Sequence, residues 1–497
     1  MTGGRMARDP PPRLTWLQCL SCSPFPHNMK IISRAALIVM FGAAPCVSAE
    51  PSSAQVDELI TRIAAVREEL DIPAIGLTLV GPDRVLWSGT LGVSDRASGR
   101  PANVQTLFRI GSVTKMFTAL ALLIAQDEGR LDLDAHAAAI VPGFPMRDPW
   151  ESTHPVRIAH LLELTAGLPD MSREEFEHNE PMELREALAW KAADRQAQWP
   201  PGLHHSYTNV AAGLAALVLE SATGERYEDF VRARIFAPLG MDSAGFSADA
   251  HTLSRLATGY DSDGTTAIQY WHMLYRSSGA INVLPAQMGP FIQLLMNRGT
   301  YHGRRLVSAT AIDRMETPAT TLAARAGLRF GYGLGNYTWL RRGALFHGHG
   351  GDGDGYLARL GYSRERAMGY FVVINLFRNA DLNRIRHLVE DFIAGDSERR
   401  LPPVYAIAPE RLKAYAGHYE AVTWRFAGRD TADRPGLTME VDGNGLAIRR
   451  GSGTQRLVPV NDRHFRRAHE PVATSAFIEY DARLYFQDDG GNYVKVR

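Results

Sequence analysis

Cysteine is nearly missing and confined to one end: of 497 residues only Cys19, Cys22 and Cys46 carry a thiol. From residue 47 onward a disulfide framework, a thiolate metal site and a cysteine nucleophile are all excluded. Net charge is missing too. The 54 basic and 54 acidic residues cancel, so no long-range field draws the chain to nucleic acid or to an anionic membrane surface. Neither Gly-x-Ser-x-Gly nor His-Glu-x-x-His occurs, which removes the α/β-hydrolase elbow and the helical zinc protease motif. No internal repeat with a period of about 20–50 residues and no low-complexity tract is visible. What remains is 45% hydrophobic and 22% charged, an ordinary globular composition with room for more than one domain.

The first 49 residues do not read as fold. Met29-Lys30 opens a stretch with basic Lys30 and Arg34, an apolar run from Ala35 to Ala44, and the small-residue end Val47-Ser48-Ala49. This is the pattern of a secretory signal peptide cleaved after Ala49, and it predicts a secreted, periplasmic protein that leaves the membrane after cleavage. The run is too short for a spanning anchor, and Pro45 before Cys46 disfavours a lipoprotein. Residues 1–28, Pro-rich and patternless, read as an upstream extension.

Periodicity then predicts a helix over about Val56–Leu70, with Leu59, Ile60, Ile63 and Val66 on one stripe, and two strands, Ala74–Val80 and Val85–Gly92, around the turn Gly81-Pro82-Asp83. Helices and loops follow to about Met315, among them an apolar helix over Val210–Ser221 stopped by Gly224. Three strands return late, Ala344–His349, Tyr356–Tyr362 and Ala367–Leu376, and a helix with Leu382, Ile385, Leu388, Val389 and Phe392 on its inner face closes the unit. Two early and three late strands suggest one antiparallel sheet of an α+β, three-layer domain over 50–398. A linker over 399–409 contains Arg399-Arg400-Leu401-Pro402-Pro403, and 410–497 reads as a separate all-β module of barrel size.

Lys115 is the only charged residue between Arg109 and Asp127, in a stretch apolar nearly all round. Burial disfavours an ammonium and lowers its pKa, which makes such a lysine a proton acceptor near neutral pH. Ser112 lies three residues earlier, on the same face. The pair reads as a nucleophile and its base, and the helix N-terminus favours the charge that develops there. Residues alone leave open that Ser112 only caps the helix and that Lys115 snorkels to water. Ser206-Tyr207-Thr208-Asn209 precedes the Val210 helix: a phenol can shuttle protons and an amide can hold a lysine, but Tyr207 could equally be packing and Asn209 a cap. Phe346-His347-Gly348-His349-Gly350-Gly351-Asp352 ends a strand, where glycines let a substrate approach; the alternatives are a plain Gly-rich turn, or a metal pair of His347 and His349 with Asp352.

Ser-x-x-Lys, then Tyr-x-Asn, then His-x-Gly, in that order, resembles the serine β-lactamase and penicillin-binding-protein superfamily, above all its branch with class C β-lactamases, esterases and D-aminopeptidase-type enzymes. The phrases Leu107-Phe108-Arg109-Ile110-Gly111-Ser112-Val113-Thr114-Lys115, His160-Leu161-Leu162 with Thr165-Ala166-Gly167-Leu168, and Pro238-Leu239-Gly240-Met241 belong to the same likeness, which covers about residues 55–395. The resemblance implies an α/β/α sandwich on a five-stranded antiparallel sheet with a helical lobe. It makes Ser112 the acylated nucleophile, Lys115 its proton partner, Tyr207 a second acid/base, Asn209, His349 and Gly351 substrate-binding positions, and the backbone N–H groups of Ser112 and Asp352 the oxyanion hole. It implies no metal, no cofactor, and a small-molecule or peptide substrate: small esters or D-amino-acid amides first, β-lactams or DD-peptides as the alternative, and a non-catalytic sensor as another. Two departures matter. Relatives that recognise penicillin usually carry Lys-Thr-Gly where this chain has His349, and often a histidine where it has Leu164. The oligomeric state is left open.

Overall fold

A computed structural model describes residues 50–246, 249–395, 401–426 and 436–496. The leader read over residues 29–49 and the extension before it lie outside the described residues. No helix among the described residues is long and apolar enough to cross a membrane.

The chain enters through the helix Ser53–Glu69, capped by Ser52, whose side chain accepts from the Gln55 amide while Gln55 answers the Ser52 N–H. Val56, Leu59, Ile63 and Val66 form its buried stripe. The strands Ala74–Val80 and Val85–Asp95 follow and pair with each other. The late strands Tyr356–Ser363 and Met368–Ile374 come back against them, with Ile75 opposite Ile374 and Leu79 opposite Tyr370. Ala344–Gly353 lies outside Tyr356–Ser363. These are the five strands expected from sequence. The sheet is extended at each edge, by Tyr337–Arg341 and by the two-residue strand Arg100–Pro101, to seven strands, all antiparallel.

Every residue of Ala74–Val80 and of Met368–Ile374 is buried, because the sheet is covered on both faces. Alternation decides which layer each side chain joins. Phe371 and Val373 pack into the helical lobe, whereas Tyr370, Val372 and Ile374 pack against the Ser53–Glu69 and Asn379–Ala394 helices. Two helices pass through the lobe with little exposed surface. Thr114–Asp127 is buried from Thr114 to Ala125, and Val210–Thr223 is stopped by Gly224, whose φ of 76° is cheap only for glycine.

Residues 401–408 run without regular secondary structure. The following module differs from its all-β expectation by one helix, Pro409–Tyr415, which starts on a proline and turns Leu412 and Tyr415 into the core of the module. Eight strands, from Gly417–Ala421 to Gly491–Lys495, then close into a barrel. Eight strands enclose a space that side chains just fill, and here Tyr415, Tyr419, Phe465, Phe477 and Phe486 fill it. The barrel is docked on the first domain: Ala476 and Ile478 pack with Leu203, Leu322, Leu328 and Phe330, and Asn492 Nδ2 donates to the His205 carbonyl at 2.9 Å.

Candidate active site

Ser112 does not cap a helix. It lies in a single 3₁₀ turn, Gly111–Val113, that feeds the Thr114–Asp127 helix, and no side chain caps that junction. Strand Ala344–Gly353 runs directly across this turn. A Cβ on Gly351 would fall 1.8 Å from the Ile110 carbonyl oxygen and 3.1 Å from the Ser112 nitrogen, and one on Gly111 would fall 3.0 Å from the Asp352 nitrogen. Glycine at 351 therefore answers a backbone contact, and it brings the amides of Ser112 and Asp352 to one place.

Lys115 does not snorkel. It is 2% exposed, and its Nζ donates to Asn209 Oδ1 at 2.6 Å, to the Ser278 carbonyl at 2.9 Å and to Ser112 Oγ at 3.2 Å. Burial lowers the amine to about 7; the Asp170 carboxylate opposes that shift and the Arg425 guanidinium adds to it. The single-turn spacing of Ser112 and Lys115 thus becomes contact because the surrounding helix is sealed from water.

Asn209 stands at the start of the Val210–Thr223 helix, but its side chain makes no capping bond. Its Oδ1 takes the Lys115 proton donor, and its Nδ2 donates to Asp170 Oδ2 at 3.2 Å while its backbone N–H donates to Asp170 Oδ1 at 2.6 Å. The Tyr207 ring lies with Lys115 Nζ 4.9 Å from its centroid and the Arg425 guanidinium also 4.9 Å away. Burial nevertheless raises the Tyr207 phenol well above its usual range, so it stays protonated at neutral pH.

His349 is buried among Tyr207, Tyr332 and Tyr337. Its Nδ1 contacts the Gly350 carbonyl and must carry the proton there, leaving Nε2 to accept from the Tyr332 hydroxyl at 3.0 Å. Burial, helped by Lys115, lowers its pKa to about 3. The imidazole is neutral and both nitrogens are engaged, so it cannot hold a substrate carboxylate as a cation would. Nor do His347, His349 and Asp352 converge: His347 lies by Thr338 and Tyr362, and Asp352 binds Arg359 at 2.6 Å. Among the described residues no group of three His, Cys, Asp or Glu side chains is placed to hold a metal.

Ser112, Tyr207, Asn209 and His349 line one cleft of about 1090 Å³, together with Tyr337, Trp271 and Arg425. Four contributors were not singled out from the sequence, and three of them carried no readable sign there. Asp170 and Ser278 are a loop carboxylate and a carbonyl, and Arg425 comes from the distant C-terminal module. Buried Arg109 stacks 4.3 Å from the Tyr270 ring and 4.5 Å from Trp271, holding that wall of the cleft. Its position beside the Ser112 turn was the one available hint. Leu164 has a left-handed backbone, φ 55°, and its carbonyl accepts the Ser206 N–H at 2.9 Å, so the position that departs from the family pattern supports the Tyr207 segment through its main chain.

The family model described as Beta-lactamase matches residues 59–393. Penicillin-binding protein 4 of Amycolatopsis lactamdurans is 28% identical over 375 residues, covering 72% of this chain and 96% of that protein. The octameric penicillin-binding protein homologue from Pyrococcus abyssi superposes with a TM-score of 0.58 at 22% identity, over 88% of this chain and 100% of that one. SurE superposes with a TM-score of 0.60 at 22% identity, over 89% and 99%. At these identities the two structures speak to the fold, and their coverage extends it beyond the family match.

Proposed function

The chain belongs to the β-lactamase family of serine hydrolases, and we propose that it cleaves an ester or amide bond through an acyl-enzyme on Ser112. The observation that carries this reading is the Lys115 amine, held 3.2 Å from Ser112 Oγ and brought by burial to about 7. A base is most effective when its pKa lies near the working pH. Neutral Lys115 takes the Ser112 proton as Oγ attacks the carbonyl carbon, and the oxyanion forms against the amides of Ser112 and Asp352. Tyr207, which burial keeps protonated, gives its proton to the leaving group only as the proton held by Lys115 replaces it, so that no phenolate is left behind and Lys115 is neutral again for the attack of water. Water then releases the acyl group.

Small esters and D-amino-acid amides or peptides are the favoured substrates, ahead of β-lactams, because neutral His349 stands where a lysine would help to hold a carboxylate. The proposed protein is periplasmic and free of the membrane once its leader is removed. The test is labelling with a fluorophosphonate followed by turnover of p-nitrophenyl esters, D-amino-acid amides and a chromogenic cephalosporin. Labelling at Ser112 with steady ester or amide turnover is expected, and its acid limb should lie near pH 7, since the amine must be neutral to accept and is neutral only above its pKa. Turnover that survives Ser112→Ala would overturn the reading. Labelling that never turns over would make the protein a sensor, and a preference for the cephalosporin would make it a β-lactamase.

A further inference from the structure

The C-terminal module reaches into the cleft through the segment that follows its first strand, Gly417–Ala421. Asp170 and Arg425, 255 residues apart, are joined twice: the Arg425 carbonyl accepts the Asp170 N–H at 2.6 Å, and Arg425 Nε donates to Asp170 Oδ2 at 2.8 Å. Flanking residues fasten the same segment. Ser206 Oγ donates to the Trp424 carbonyl at 3.1 Å, Trp424 packs edge-on against Trp199 at 5.2 Å, and Phe426 against Phe176 at 6.3 Å. The Asp170 carboxylate is wholly buried, and both its oxygens also meet Asn209, whose Oδ1 holds Lys115. A continuous chain of polar contacts therefore runs from the barrel to the amine: Arg425, Asp170, Asn209, Lys115.

We infer that Arg425 is a positioning residue for the hydrolase site, by which the C-terminal module balances the Asp170 charge and keeps Lys115 competent to accept the Ser112 proton. This rests on the reading of Lys115 as the base. The charged or titratable groups around the amine are few. Asp170 and Arg425 oppose each other, His349 is neutral, and Tyr207 and Tyr337 are held protonated by burial. Asp352 and Arg359 pair with each other. With Arg425 present, the carboxylate that orients Asn209 is compensated. Without it, the same carboxylate faces the ammonium alone and holds the proton on Lys115.

The test follows the rate of fluorophosphonate labelling against pH, over about pH 5 to 10, in the full chain and in Arg425→Gln, Arg425→Lys and Asp170→Asn. The acid limb is expected to move up by about half to one pH unit in Arg425→Gln, to return in Arg425→Lys, and to move down in Asp170→Asn. Opposite displacements are not expected of a residue that only fastens the barrel. If the limb stays in place in all three, whether or not thermal stability falls, the inference fails. Lys115→Ala separates that failure from the other: fast labelling in this variant sinks the assignment of the base itself, whereas slow labelling with an unmoved limb in the Arg425 variants sinks the role of Arg425 alone.

Discussion

The barrel interior and the helical lobe are both sealed from water, yet they are sealed around different things. In the barrel, Tyr415 stacks on Phe477 at 3.9 Å and Phe465 meets Phe477 edge-on at 5.2 Å, so aromatic rings fill the lumen. In the lobe, apolar residues from Met116 to Ala125 enclose Lys115 just where it meets Ser112, Asn209 and the Ser278 carbonyl. The same hydrophobic exclusion of water gives stability in one region and a shifted proton affinity in the other. The barrel's contribution to the cleft comes from Arg425, on a segment leaving its first strand, and from Asp489, in the turn after the strand Arg483–Asp488, and not from its lumen, which packed rings fill.

Three substitutions sharpen that contrast. Lys115→Ala should slow labelling of Ser112 by about 10²–10⁴-fold, the range for a general acid/base, with the fold retained by circular dichroism; unchanged labelling would erase the distinction between the two interiors. Phe477→Ala should cost about 3–5 kcal/mol of stability, as expected for a large side chain removed from a packed core, while the folded fraction still labels. A denaturant titration beside the labelling assay measures both. Arg449→Ala breaks an exposed barrel pair with Glu440, both side chains at least half exposed, and should change stability by no more than about 0.5 kcal/mol with no change in labelling. A large loss there would mean that the barrel wall, and not its aromatic filling, sustains the module.

Much of this arrangement could be read locally. The strand Ala74–Val80 was legible to the residue because its alternation and the turn after it are local signals, and the Val210–Thr223 helix was legible from its apolar run and Gly224. Ser112, Lys115, Tyr207, Asn209 and His349 were legible as motif positions, and in the structure Ser112, Tyr207, Asn209 and His349 line one cleft while buried Lys115 contacts Ser112. The edge strand Tyr337–Arg341 was not read, since its residues are only partly buried, apart from Thr338, and alternate weakly. The helix Pro409–Tyr415 is too short for a periodic signal to exceed that of the surrounding strands.

The sequence by itself determined that an isolated lysine stands one turn from a serine in a stretch apolar nearly all round, because composition is local; that the amine is enclosed and does not reach water was decided by the tertiary structure. The sequence also determined that a small β module would follow the main domain. Only the tertiary structure decided that His349 is neutral and fully engaged and that Asn209 bridges instead of capping. It alone decided that Asp170 is compensated by Arg425 from the far end of the chain. A charge pair 255 residues apart leaves no periodic trace, because its energy depends on distance in space and on the water excluded around it, and neither quantity is written along the backbone.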